Sequence, residues 1–153
     1  MRSGPAILLT TLIGASHLAA AATPAPSPAA EESAIRAVVS DYVGLYRVGT
    51  LERWKALFHP SLTVADPRPD GSIRVRGLEE FYATQKTGFE SGRTQGERLE
   101  NIRVEAGRRI ARVTADYIYT GEGKDSRGKL GLHLVEGSAG WSIVAIVYSY
   151  DQP

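Results

Sequence analysis

Residues 57–76 read LFHPSLTVADPRPDGSIRVR, and this stretch decides the fold. Pro60 ends a preceding helix, because the residue before a proline is pushed out of helical geometry. Leu62–Asp66 is then a predicted strand, and the turn-forming residues Pro67–Gly71 lead the chain into a second strand over Ile73–Arg76. The segment therefore predicts a β-hairpin that directly follows a helix.

Two helices are predicted upstream of this hairpin. The first covers Glu31–Val48, where apolar residues recur at the spacing of one helical stripe. The members of that stripe are Ile35, Val38, Val39, Tyr42, Leu45 and Tyr46. Gly49 ends this helix, and Thr50 begins a shorter one that carries Trp54. Tyr42 lies at the centre of the stripe, so its hydroxyl group needs a partner in the core.

One more helix and four strands are predicted downstream of the hairpin. The helix covers residues 77–88, and the loop Phe89–Gly96 follows it. Glycine-rich turns, among them Gly121–Gly128, then separate strands at Glu97–Glu105, Ile110–Tyr119, Lys129–Glu136 and Trp141–Tyr150. This order predicts an α+β fold in which N-terminal helices pack on one face of a curved antiparallel sheet.

The alternation of residues along two of these strands predicts which of their faces are buried. The strand Ile110–Tyr119 alternates a dry face with a mixed one. The last strand is apolar on both faces, with Val144, Ile146 and Tyr148 on the side away from the helices. Because helices cover only one face, the sequence predicts a homodimer through these three residues. A local cover by the C-terminal tail is the alternative.

The N-terminal segment has the pattern of an export signal. Arg2 precedes a short apolar run at residues 6–13, and a series of alanines follows it. A spanning helix needs about 20 apolar residues, so no stable membrane insertion is expected after cleavage. The predicted organisation is a signal peptide at 1–22, a Pro/Ala-rich linker at 23–30 and one domain at 31–153, located in the periplasm or the medium.

Composition excludes several classes of function. Without Arg2 the mature chain keeps 17 basic and 17 acidic residues, and this balance argues against nucleic-acid binding. The absence of cysteine removes thiol catalysis and thiolate metal sites. His59 and His133 are isolated from each other in the mature sequence, so we predict no metal site and no cofactor.

Two motifs carry a resemblance to a known superfamily. They are Leu57-Phe58-His59-Pro60 before the hairpin and Gly140-Trp141-Ser142-Ile143-Val144, with two tyrosines after it, at the end. With the order of elements over Glu31–Tyr150, the chain resembles the nuclear-transport-factor-2-like superfamily, in its SnoaL-like and lumazine-binding-like branches. The resemblance implies a cystatin-like cone around a small-molecule pocket.

The segment from Tyr42 to Pro67 is also similar to ketosteroid isomerase. That resemblance implies Tyr42 as an oxyanion donor and Asp66 as a general base. From the residues alone, Asp66 shares a strand face with core side chains, or else caps the turn that follows it. From the residues alone, Tyr42 is instead explained as a core tyrosine bonded to a backbone carbonyl.

The third group of that enzyme, an aspartic acid on the strand before the last, has no counterpart here. Its position falls on Gly131, which turns His133 inward, or on Leu132, which turns His133 outward. An inward His133 would complete a polar site with Tyr42 and Asp66.

Three functions are compatible with these observations. The first is a module that binds a small apolar or aromatic molecule in a mostly apolar pocket, against Tyr46, Trp54, Phe81, Tyr117 and Tyr119. The second is a cofactor-free isomerase or lyase with Tyr42, Asp66 and His133 as catalytic residues. The third is a structural dimerisation domain, because the fold alone does not determine function.

Overall fold

A computed structural model describes Ser27–Asp151, and this part of the chain forms three helices and six strands. In chain order they are α1 (Pro28–Gly44), α2 (Leu51–Lys55), β1 (Phe58–Pro67), β2 (Ile73–Gly77), α3 (Leu78–Glu90), β3 (Thr94–Gly107), β4 (Ile110–Gly121), β5 (Lys124–Gly137) and β6 (Gly140–Tyr150). The predicted signal peptide and residues 23–26 of the linker lie outside the described residues. Within Ser27–Asp151, no helix is long and apolar enough to cross a membrane.

The strands form one curved sheet in the order β2-β1-β6-β5-β4-β3. This confirms the predicted α+β class with helices packed on a sheet. The sheet is mixed rather than wholly antiparallel, because β6 runs parallel to β1. After α3 the chain resumes at the far edge with β3 and returns strand by strand, so its last strand closes against β1.

The hydrophobic core is centred on Trp54, whose side chain is completely buried. Its ring lies 4.6–5.8 Å, between centroids, from four other aromatic rings, those of Tyr42, Tyr46, Phe58 and Phe81. The indole Nε1 donates to the backbone carbonyl of Tyr42. This cluster joins α1, α2, β1 and α3, and it forms the floor on which the site is built.

Several boundaries differ from the prediction, since α1 ends at Gly44 rather than Val48 and Pro60 lies within β1 instead of ending a helix. Helix α1 begins at Pro28 rather than Glu31, because Ser27 caps it by accepting a hydrogen bond from the amide of Ala30, and proline is tolerated in a first helical turn. The predicted loop Phe89–Gly96 is mostly taken up by the end of α3 and the start of β3. The predicted turn Gly121–Gly128 shrinks to two residues with positive φ, which suits a tight hairpin.

Strand β6 contains a bulge that reverses the predicted assignment of its faces. The register between β5 and β6 shifts at His133/Leu134, and Val144 has no partner on β5. As a result Ile143 and Ile146, three residues apart, are both buried in the core. The prediction that Ile146 and Tyr148 face away from the helices is wrong. The outward position belongs to Val147, which is 52% exposed.

Candidate functional site

A cavity of about 500 Å³ lies between the helices and the inner face of the sheet. Six of the seven tyrosines line it, namely Tyr42, Tyr46, Tyr117, Tyr119, Tyr148 and Tyr150. Trp54 and Phe81 complete the aromatic part of the wall. The cavity thus brings together all five predicted ligand-binding residues and two of the three predicted catalytic residues, Tyr42 and Asp66.

His133 lies elsewhere. It is exposed on the outer face of β5, opposite Arg112 on β4, while Leu132 and Leu134 on either side of it are buried. The period of two along a strand therefore turns the imidazole away from the cavity. The interpretation with Leu132 at the inward position is the one the structure shows, so His133 does not join a polar site with Tyr42 and Asp66.

Asp66 is the centre of an ion-pair cluster on β1 and β2. Its Oδ1 accepts hydrogen bonds from Nη2 of Arg76 at 2.7 Å and from Nε of Arg74 at 3.2 Å. Its Oδ2 accepts a third from Nη2 of Arg74 at 3.0 Å. The register places both arginines on β2 within reach, because Asp66 pairs with Arg74 and Val64 pairs with Arg76. Both carboxylate oxygens are thereby engaged by cations.

Arg76 is the buried member of this cluster, with 2% of its surface exposed. Its Nη2 donates to Asp66 and to the hydroxyl oxygen of Tyr148, each at 2.7 Å. Its guanidinium carbon lies 5.3 Å from the ring centroid of Phe81, within cation–π distance. Its Nε, however, has no hydrogen-bond partner within the described part of the chain.

Glu97 is the functional candidate that the sequence analysis missed. It lines the cavity from β3, and its Oε1 is buried with no hydrogen-bond partner of good geometry among residues 27–151. Burial raises the pKa of Glu97 to about 8, and the nearby hydroxyls of Tyr42 and Tyr117 offset only part of that rise. The side chain is therefore largely a neutral acid at pH 7.

The tyrosine hydroxyls around Glu97 remain protonated. Burial raises the pKa of Tyr42 and of Tyr117 well above the ordinary value, and the charge of Glu97 adds to both shifts. Other hydroxyls are held by neighbours, since Tyr46 donates to Oε1 of Gln85 and Tyr119 shares a 2.7 Å hydrogen bond with Thr94. The arrangement is a set of neutral tyrosine hydroxyls around one cavity.

The cavity lining is more polar than predicted. A mostly apolar pocket was expected, yet Asp66, Arg74, Arg76 and Glu97 all contribute to the wall. Arg93, Glu122 and Lys124 add further charge from a loop, a turn and the first residue of β5. The cavity combines aromatic surface with charged groups, and this combination gives a binding site both affinity and orientation.

A family model described as "Putative lumazine-binding" matches residues 30–149. The chain belongs to the putative lumazine-binding family. The match spans nearly all of the predicted domain, and it agrees with the resemblance drawn from the two sequence motifs. Among curated proteins, none matches this chain.

Solved structures of nuclear-transport-factor-2-like proteins share the fold of this family member. A protein of that type and of unknown function from Shewanella baltica OS155 has a TM-score of 0.68 at 14% identity, covering 84% of this chain and 100% of its own. A "putative scytalone dehydratase" from Novosphingobium aromaticivorans has a TM-score of 0.63 at 20% identity, covering 80% and 85%. A Nostoc punctiforme protein with a cystatin-like fold has a TM-score of 0.62 at 11% identity, covering 82% and 93%. These identities show the fold alone.

The sequence analysis missed Glu97 because a bulge in β3 of this lumazine-binding-family chain changes which residues face inward. Glu97 and Leu99 face inward, but the register of β3 shifts between Glu100 and Arg103, and Asn101 has a positive φ of 51°. Strict alternation would put Glu97 opposite the apolar Ile102 and Val104, on a solvent face. Leu99 is the one residue whose position indicates that Glu97 faces inward, because residues two apart on a strand share a face and Leu99 is apolar.

Proposed function

We propose that this domain binds a small aromatic molecule in the cavity between its helices and sheet. The observation that carries the proposal is the convergence of six tyrosines on one cavity of about 500 Å³. That volume lies within the range of about 300–1,000 Å³ typical of ligand sites. The family description, which names lumazine, a planar heteroaromatic compound, supports the same class of ligand.

The tyrosine rings offer a wall for stacking. The ring of Tyr150 lies 5.8 Å from that of Tyr117 and from that of Tyr148, and 6.4 Å from that of Tyr119. Tyr150 keeps 45% of its surface exposed, so it stands at the accessible side of the cluster. Aromatic side chains in this arrangement add about 0.5–1.5 kcal/mol per ring pair beyond the area that they bury.

Binding is tested by titrating the domain with lumazine and with 2-naphthamide in a calorimeter. The Trp141→Phe variant leaves Trp54 as the single tryptophan, and quenching of its fluorescence by lumazine would locate the ligand in the cavity. Two neighbours on β6 provide a matched pair of variants. Tyr150→Ala should weaken binding several-fold, whereas Val147→Ala on the opposite face should leave it unchanged. Absence of heat and of quenching with both compounds would contradict the proposal.

Proton transfer is a second candidate function, and Glu97 is the observation that favours it. Asp66 was predicted as the base, but both of its oxygens accept hydrogen bonds from arginines. In Glu97, by contrast, Oε1 has no hydrogen-bond partner among the described residues, and it lies beside the protonated hydroxyls of Tyr42 and Tyr117. Above pH 8 it would accept a proton from the carbon next to a carbonyl, while a tyrosine donates to the enolate oxygen.

This candidate is tested with 2-tetralone, an aromatic ketone with exchangeable protons next to its carbonyl. Deuterium incorporation in D₂O, followed by NMR, should be accelerated by the domain, and the acceleration should rise as pH passes through about 8. Glu97→Gln should remove about 10²-fold or more of the acceleration. Exchange that is unaffected by Glu97→Gln would contradict a role for this residue.

We also propose that the domain acts after export from the cytoplasm. The support is the pattern of residues 1–22, with one basic residue, a short apolar run and a series of alanines. Mass spectrometry of the exported protein should find an N-terminus near Thr23. An exported protein that retains Met1 would contradict the predicted cleavage.

A further inference from the structure

The Asp66–Arg74–Arg76 cluster carries one more positive charge than negative charge. Asp66 and Arg76 have side chains that are only 9% and 1% exposed, whereas the side chain of Arg74 is 38% exposed. One carboxylate neutralises one of the two guanidinium groups, and the surplus positive charge remains at the cavity wall, where Arg74 reaches solvent. A fixed surplus charge in a cleft attracts a ligand of opposite charge.

Glu97 does not supply that anion. The groups that lower its pKa are the hydroxyls of Tyr42 and Tyr117, and no arginine contributes to the shift. With a pKa of about 8 it is largely uncharged at neutral pH. The charged residues that then remain around the cavity are two carboxylates, Asp66 and Glu122, and four cations, namely Arg74, Arg76, Arg93 and Lys124.

Donor groups at the cluster point to an oxyanion. Arg76 uses only Nη2 for its hydrogen bonds. Tyr148 accepts one of these bonds through its hydroxyl oxygen, which leaves the hydroxyl proton available for another acceptor. Arg74 donates to Asp66 through Nε and Nη2, and its guanidinium is the accessible one.

We propose that the ligand of this cavity carries a carboxylate group, which binds at Arg74 and the Tyr148 hydroxyl above the fixed charge of Arg76. This inference rests on the proposed binding function and names the class of ligand, an aromatic carboxylate. The aromatic part would lie against the tyrosine wall, and the carboxylate would neutralise the cluster. Planar guanidinium groups favour carboxylates because their donors match the two carboxylate oxygens.

The test compares 2-naphthoate with 2-naphthamide, which share the ring and differ in the charge of one group. Calorimetry at pH 7 should show at least tenfold tighter binding of the naphthoate to the unmodified domain. The preference should shrink as salt is added, since a partly exposed pair is screened. Equal affinity for the two compounds would overturn the inference while leaving the proposed function supported, whereas absence of binding by both would contradict the two together.

Charge variants should move the preference in opposite directions. Arg74→Gln makes the cluster neutral and should reduce the ratio of the two affinities to near one. Asp66→Asn raises the surplus charge and should increase that ratio, a gain that a damaged fold would not produce. Arg112→Gln removes a cation on the outer face of β4, outside the cavity, and serves as the matched control, with the ratio expected to stay within about twofold. A ratio that falls equally in all three variants would contradict the assignment to Arg74 and Arg76.

Discussion

The indole Nε1 of Trp54 donates a hydrogen bond of 2.9 Å to the backbone carbonyl of Tyr42, and this bond is buried. It ties α2 to α1 at the residue whose hydroxyl faces Glu97. We expect Trp54→Phe to lower the free energy of unfolding by about 1–3 kcal/mol, because the Tyr42 carbonyl would lose its partner. Urea unfolding followed by circular dichroism measures the change, with Trp141→Phe, whose side chain is less buried, as the comparison. Equal effects of the two substitutions would contradict a special role for the bond.

The ion-pair cluster gives a second prediction, about stability. Asp66→Asn would leave the buried Arg76 without its counter-charge, and breaking such a pair costs about 3–5 kcal/mol. Arg74→Gln removes a half-exposed partner and should cost under about 1 kcal/mol. Denaturant unfolding of both variants provides the measurement. A smaller loss for Asp66→Asn than for Arg74→Gln would show that burial of Arg76 does not dominate the energetics.

The raised pKa of Glu97 predicts a dependence of stability on pH. Its folded pKa of about 8 lies above the ordinary value of 4.5, so between these two values the folded state binds a proton that the unfolded state has released. Raising the pH across this window therefore favours unfolding, by up to about 4 kcal/mol for this one group. Glu97→Gln should abolish that part of the decline and stabilise the domain at pH 8.5. Urea unfolding of both proteins at pH 5 and pH 8.5 tests this, and parallel declines in the two would refute it.

The outer face of the sheet leads to a prediction about assembly. Val75 and Val147, which are 61% and 52% exposed, lie on either side of Ala65 in the strand register. We propose that a second copy of the chain covers this apolar row. The sequence analysis also predicted a homodimer through the last strand, but through Val144, Ile146 and Tyr148. Val147→Glu should convert a dimer into a folded monomer, whereas Ile146→Glu should prevent folding because Ile146 is in the core. Sedimentation at micromolar concentration measures the oligomeric state of each protein, and a monomeric unmodified protein would contradict the proposal.

Much of the fold could be predicted because it depends on patterns of local sequence. The helical stripe through Tyr42 and the hairpin before α3 follow directly from residue spacing and turn chemistry. The aromatic lining could be predicted for the same reason, since Tyr117 and Tyr119 alternate with residues of the other face of β4. These features need no knowledge of distant contacts.

The charged part of the site could not be predicted in the same way. Glu97 and Tyr148 face inward only because one strand shifts its register near Asn101 and another near Val144. A bulge depends on how neighbouring strands pair, and that information is spread over residues far apart in sequence. The partners of Asp66 lie close to it in sequence, across the predicted hairpin, and they were missed because turn residues alone do not fix the register that pairs the two strands.

The unpaired Val144 has a consequence for how the site could change over time. Because one surplus residue sets the phase of everything after it, regular pairing of Val144 with β5 would turn both terminal tyrosines outward and carry Val147 and Ser149 to the interior. Two relatives with identical residues at 145–150, one with the bulge and one without it, would therefore present opposite faces of the strand to a ligand. The presence or absence of the bulge at this point, more than the choice of side chain, determines the chemistry of that wall.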